Sequence, residues 1–275
     1  MRKTILLGVG LSLLAGCGAA PVKYDPQASY ALNVVRAVNI DARLEDVEIP
    51  KDTVTDITDS AGYGFAMAVS GYNAPIPGFS SSAMAGMNFA SWLFAPKAAS
   101  ARNSLFAWMP EEAAGDKPID SLADILLEAA SKAAKDMGYT PKPSIAKNGN
   151  DKSGSSVSLV GGDGVVCTSE GDSSNCWIVF GLRTPKKIDK APEFVEQAGK
   201  GFLFDPSAAV YSRYIFPKEN AGLNELELLV NTSKHAPSWL YFYVAPKKIR
   251  IGKDRPIKLP LVINQGKVHY FVTPS

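Results

Sequence analysis

Ile119-Asp-Ser-Leu122-Ala-Asp124-Ile125-Leu126-Leu-Glu128-Ala129-Ala-Ser131-Lys132-Ala133-Ala-Lys135-Asp136-Met137 is the stretch on which the fold turns. Leu122, Ile125, Leu126, Ala129, Ala133 and Met137 recur at steps of three and four. Asp120, Asp124, Glu128, Ser131, Lys132, Lys135 and Asp136 fall largely elsewhere. That period predicts an amphipathic helix over about 119–137 with one apolar stripe toward a core. Asp116 and Pro118 suit its start and Gly138 its end, and Pro141 and Pro143 prevent its return. The alanines of the stripe allow close packing, expected on a sheet.

Strand patterns lie mostly downstream. Val157 to Leu182 reads as strand, turn, strand, with Gly161-Gly162-Asp163-Gly164 as one turn and the loop between Cys167 and Cys176 as another. Glu193 to Gln197 reads as a helical turn and Val210 to Phe216 as a strand. Trp239 to Val244 is apolar and aromatic, as in a buried strand. Ile257–Ile263 and Lys267–Thr273 flank Asn264-Gln265-Gly266, a hairpin signal. The fold class is therefore α+β, with the helix at about 119–137 packed on a mainly antiparallel sheet formed largely by the C-terminal half. Lys142 to Ser156 reads as a polar, glycine-rich loop, and a subdivision of the globular region 30–275 is expected near 140–156. Upstream, Leu32, Val34, Val35, Val38 and Ile40 read as a strand or two closed by Pro50.

Ser60 to Pro96 contains no charged residue. Pro75 and Pro77 exclude one long helix, whereas Ser81 to Ala95 suits a short apolar one. Two readings stay open. The segment is covered by the rest of the fold, or Phe89, Trp92 and Phe94 form an exposed contact surface for a partner or the membrane.

The chain opens Met1-Arg2-Lys3, continues with an apolar run from Ile5 through Leu14, and reaches Ala15-Gly16-Cys17. A positive start, a short apolar middle and small residues before a cut mark a secretory signal over residues 1–16. The run is about ten residues, where a membrane span needs about twenty. Leu14-Ala15-Gly16-Cys17 resembles the lipobox of bacterial lipoproteins. The resemblance covers the export segment and implies cleavage before Cys17 and acylation of its thiol, so that the chain contacts a lipid bilayer through Cys17. Gly18 stands where families with an inner-membrane retention signal usually carry Asp, so the resemblance implies the outer membrane. Residues 17–29 then read as a lipidated N-terminus and flexible tether.

The formal charge of the chain is +2, and removal of Arg2 and Lys3 takes it to zero. A neutral chain without a clustered basic patch excludes nucleic acid as an electrostatic partner. With Cys17 acylated, Cys167 and Cys176 remain of three cysteines. In an exported, oxidising setting they are expected to pair, closing a small polar loop. Two reduced core thiols are the alternative.

The search for chemistry finds little. The two histidines, His235 and His269, are isolated in sequence, and no H-E-x-x-H, G-x-S-x-G, Walker A or G-x-G-x-x-G pattern occurs. Ser144-Ile-Ala-Lys147 matches S-x-x-K but lacks its S-D-N and K-T-G partners. Asn148 to Ser153 places lysine at a ligand position of a calcium loop and offers no closing glutamate. Glu111-Glu112 and Glu225 with Glu227 read as solvated surface. No catalytic residue, metal site or cofactor is assigned. The expected function is a non-enzymatic accessory, assembly or binding component of the bacterial envelope, working through contacts with other envelope proteins. An envelope hydrolase acting on cell-wall or lipid substrates and a small-ligand carrier with an aromatic pocket from Trp239, Tyr241 and Tyr243 are the alternatives.

Overall fold

The computed structural model describes residues 22–40, 43–49, 98–148, 151–162, 167, 169–170, 173–174, 176–195, 199–215, 225–249 and 257–274. Cys17 and the segment bearing Phe89, Trp92 and Phe94 lie outside the described residues. In chain order the elements are helix α1 (Tyr30–Ala37), strand β1 (Val47–Ile49), a 3-10 turn (Ala99–Ala101), β2 (Ser104–Pro110), α2 (Glu111–Ala114), α3 (Pro118–Asp136), β3 (Tyr139–Asn148) and β4 (Asp151–Gly161). There follow β5 (Ser169–Glu170), β6 (Ser173–Ser174), β7 (Cys176–Leu182), β8 (Lys186–Ile188), β9 (Gly201–Phe204), β10 (Ala209–Ile215), α4 (Glu225–His235), β11 (Leu240–Ile249), β12 (Ile257–Asn264), β13 (Lys267–Tyr270) and β14 (Val272–Pro274).

The α+β expectation holds. A ten-stranded antiparallel sheet runs β13-β12-β11-β2-β10-β7-β4-β3, and β9 joins β2 to β8 at its side. The predicted helix is α3. Pro118 occupies its first turn, and Gly138, at φ +78°, follows its last residues in the left-handed region that glycine favours. Leu122, Leu126, Ala129, Ala130 and Ala133 are buried toward Val157, Leu159, Ile178 and Phe180, which alternate onto one sheet face. Helix α4 packs beside α3 on that face. Side chains paired across antiparallel strands share a face. Tyr241, Phe106, Val262 and His269 therefore share the opposite face. Helix α1 lies there, with the Tyr30 ring 4.7 Å from His269. The core is one contiguous cluster from Ala31 to Phe271.

Two local readings change, and two further elements had no reading in the sequence. The stretch from Tyr30 is a helix, because Ser29 caps it through its Oγ, which accepts from Leu32 N–H at 3.1 Å. Ala31, Leu32, Val34, Val35 and Val38 then form a helical stripe instead of strand faces. The loop expected over 142–156 is the β3–β4 hairpin, paired from Tyr139↔Gly161 to Asn148↔Asp151. The chain therefore stays within the sheet over this stretch. Pro141 and Pro143 sit on β3, an edge strand of the sheet and the place where proline is tolerated. Glu225 and the polar Asn231–His235 belong to helix α4. Its Thr232 Oγ1 donates to Leu228 O at 2.7 Å and its Ser233 Oγ to Val230 O at 2.8 Å, satisfying hydroxyls that are buried. Residues 104–110, given no element above, form central strand β2, buried at every position. The expected hairpin at Asn264-Gln265-Gly266 is β12–β13, turned by Gln265 and Gly266 at φ +47° and +74°.

Candidate functional site

The junction between the N-terminal segment and the body is built from a short polar cluster. Asn33, buried on α1, aims its side-chain amide back at the chain that precedes the helix. Its Nδ2 donates to Asp25 O at 2.9 Å, Ser29 O at 3.1 Å and Ala28 O at 3.3 Å, and its Oδ1 accepts from Asp25 N–H at 2.8 Å. One side chain thus satisfies four backbone groups and folds residues 25–29 onto their own helix. Asp46 secures the same bend: its carboxylate accepts from Ser29 N–H at 2.6 Å and Ser29 Oγ–H at 2.5 Å. Arg36 pairs with Asp25 at 3.3 Å on the surface. Residues 25–29, read above as part of the tether, are therefore fastened to the domain.

The next strand extends the fastening to the other end of the chain. Strand β1 runs parallel to β14 from Val47↔Val272 to Ile49↔Pro274, and Val47 N–H donates to Phe271 O at 2.9 Å. Beneath α1, Tyr30 and Tyr241 share a hydroxyl hydrogen bond at 3.1 Å, and Trp108 meets Tyr241 edge-on with centroids 5.5 Å apart. Burial, with Lys267 adding to it, lowers the His269 pKa to about 4. The imidazole stacked on Tyr30 is thus neutral across the physiological range.

The other sequence candidates fall apart in space. Cys167 and Cys176 are joined in a disulfide with their Cα atoms 5.6 Å apart. Gly161 and Cys167 exchange backbone hydrogen bonds at 2.7 and 3.0 Å, which places the bridge at the end of the β4–β7 pair. Trp239, Tyr241 and Tyr243 are buried in the core. Tyr243 Oη donates to Ser100 O at 3.0 Å, and the Tyr243 ring packs against Phe106. Tyr241 in turn meets Trp108, so both tyrosine rings pack against neighbours on β2.

His235 Nε2 meets Asp136 Oδ2 at 2.6 Å, joining the C-terminal ends of α4 and α3. A sequence reading had no means to find this pair, which is 99 residues apart. Among the described residues no three His, Cys, Asp or Glu side chains form a metal-holding group, and no helix is long and apolar enough to cross a membrane. The Asn33 and Asp46 fastenings were also missed, since their partners are mostly backbone groups, with the Ser29 hydroxyl, that no motif marks. No family model, curated protein or solved structure matches the chain.

Proposed function

We propose that this chain is a lipoprotein of the bacterial outer membrane, anchored by acyl chains on Cys17, whose folded domain faces the periplasm or cell surface. There it serves as a non-enzymatic accessory, assembly or binding component through contacts with envelope proteins. The observation that carries the reading is Cys17 itself, set directly after Leu14-Ala15-Gly16 at the end of an apolar run too short to remain in a membrane. The Cys167–Cys176 disulfide supports export, because such bonds persist in oxidising compartments and are rare in a reducing cytosol. The fastening of residues 25–29 supports an anchor upstream of them, since it binds the polypeptide firmly to the body a few residues beyond Cys17. The roles of the two histidines, one packed under α1 and one paired at the helix ends, support a binding body in preference to a hydrolase.

Two or three acyl chains on one residue hold a protein essentially without release, as each buried CH₂ adds roughly 0.8 kcal/mol. The test is Cys17→Ser in the producing cell. The exported wild type is expected in the membrane fraction with acyl mass on its N-terminal cysteine, and the variant is expected soluble or unprocessed. A Cys17→Ser protein still membrane-bound and cut at the same site overturns the reading.

A further inference from the structure

The lipoprotein reading, on which this inference rests, says how the domain is attached but not how it stands. Three observations bear on that. The first is chain length. Asp25 is the first residue fastened to α1, and it lies eight residue steps beyond Cys17. At roughly 3.3–3.6 Å each, full extension reaches no more than about 29 Å, and a flexible chain of that length averages about 16 Å end to end. The second is exposure. Among the described residues the exposed large apolar side chains are Val22, at 41%, and Tyr24, at 47%, either side of Lys23. Both lie inside this short connection. The third is orientation. Tyr24 leans on Phe194 with centroids 5.6 Å apart, and the residue after it, Asp25, is bonded to Asn33 of α1, so the half-exposed ring is held next to the α1 junction.

We propose that Val22 and Tyr24 seat in the headgroup layer of the phospholipid bilayer that carries the Cys17 acyl chains, and hold the α1 side of the domain against that membrane. Tyrosine has an apolar body and a polar tip, which suits the boundary between hydrocarbon and water, and Lys23 reaches the phosphates. Two such side chains bind a free bilayer weakly. Tethering makes their insertion intramolecular, at a local concentration in the millimolar range, so weak partition is enough. The surface left for envelope partners is the one bearing α3 and α4, on the other sheet face.

Spin labels test this on the full acylated chain in vesicles of phosphatidylethanolamine and phosphatidylglycerol. Tyr24→Cys and Val22→Cys carry the label at the proposed seat. Lys132→Cys carries it on the exposed side of α3. Accessibility to an aqueous nickel chelate is compared with that of the soluble Cys17→Ser forms without vesicles. A several-fold loss at 22 and 24, with position 132 unchanged, is expected. Full nickel access at 22 and 24, with acyl chains confirmed on Cys17 by intact mass, overturns the docking and leaves the anchor standing. A chain without acyl mass overturns the lipoprotein reading and the docking with it.

Discussion

Asp205 is a carboxylate set at a break in a sheet. Strands β9 and β10 both pair with β2, Phe204 with Ala107 and Val210 with Ser104. Three steps along β2 therefore face six along its partner, and the excess is gathered into the turn at 205–208. Asp205 organises that turn. Its Oδ1 accepts from Ser207 N–H at 2.8 Å and Ser207 Oγ–H at 2.5 Å, its Oδ2 accepts from Lys186 Nζ at 2.5 Å, and Ala208 and Ala209 N–H donate to its carbonyl at 2.8 and 3.0 Å. Arg102 braces the turn from outside through Nη2 to Pro206 O at 2.7 Å. Burial alone raises the Asp205 pKa, but Lys186 and Ser207 outweigh it and hold the carboxyl below its usual value. A group depressed on folding stabilises above its unfolded pKa, and that stability is lost as pH falls through the folded value. Lys186 is 68% exposed, so its share is screened, and the two Ser207 bonds carry most of the effect. Asp205→Asn is expected to cost about 1–2 kcal/mol at neutral pH. In urea titrations the gap between wild type and variant should close below the carboxylate range. A gap unchanged by acid would remove the charge from this account.

At the scale of the element, Gly201 shows how closely β9 is laid on β2. It pairs with Pro110, and a Cβ built on it meets Met109 O at 2.2 Å and Met109 C at 3.0 Å. Both atoms are backbone and cannot swing aside. Gly199, two residues earlier, has nothing within 4 Å of the same construction. Gly201→Ala is expected to lower stability by about 2–3 kcal/mol by prising the strands apart, and Gly199→Ala to change it by less than about 0.5 kcal/mol. Thermal melts of the two variants side by side check the contrast, and equal effects would mean that β9 yields more readily than its geometry says. The same scale shows what could be read in advance. Helix α3 was legible because nineteen residues repeat one period between proline and glycine stops. The β12–β13 hairpin was legible from its turn residues. Helix α1 was not, because Val34, Val35, Val38 and Ile40 favour strand locally, and the decision rests with a cap on Ser29 and with Asn33 reaching backward. Strand β3 and the first half of β4 were hidden by proline, serine and glycine, which edge position and pairing with β7 make acceptable, whereas β4 from Val157 was read as strand. Central β2 is apolar on both faces, so it offers no alternation to detect.

For the whole molecule, the expectation at Cys17 rests on residues adjacent in the sequence, Leu14-Ala15-Gly16-Cys17. The fastening of the N-terminal segment could not be read that way, because it also depends on Phe271 and Tyr241 arriving from far along the chain. That long-range closure has an energetic consequence. Strand β1 is completed by β14, α1 by β13 and β11, and the core is continuous from Ala31 to Phe271, so no part of the described body has a separate core on which to survive. Unfolding should then be one transition, with far-ultraviolet circular dichroism and tryptophan fluorescence coinciding. The disulfide tests the point. Cys167 and Cys176 are nine positions apart and close their loop beside β4 and β7, within the same body. Loop-closure entropy assigns such a short bridge about 2.7 kcal/mol. The Cys167→Ala, Cys176→Ala double variant should therefore lose stability by that amount and unfold at lower denaturant, still in a single step seen alike by both probes, because the bridge lowers the entropy of the same unfolded chain. If the two probes separate in the variant, the β3–β4–β7 end of the sheet folds independently of the α1 end, and the continuous core does not act as one unit.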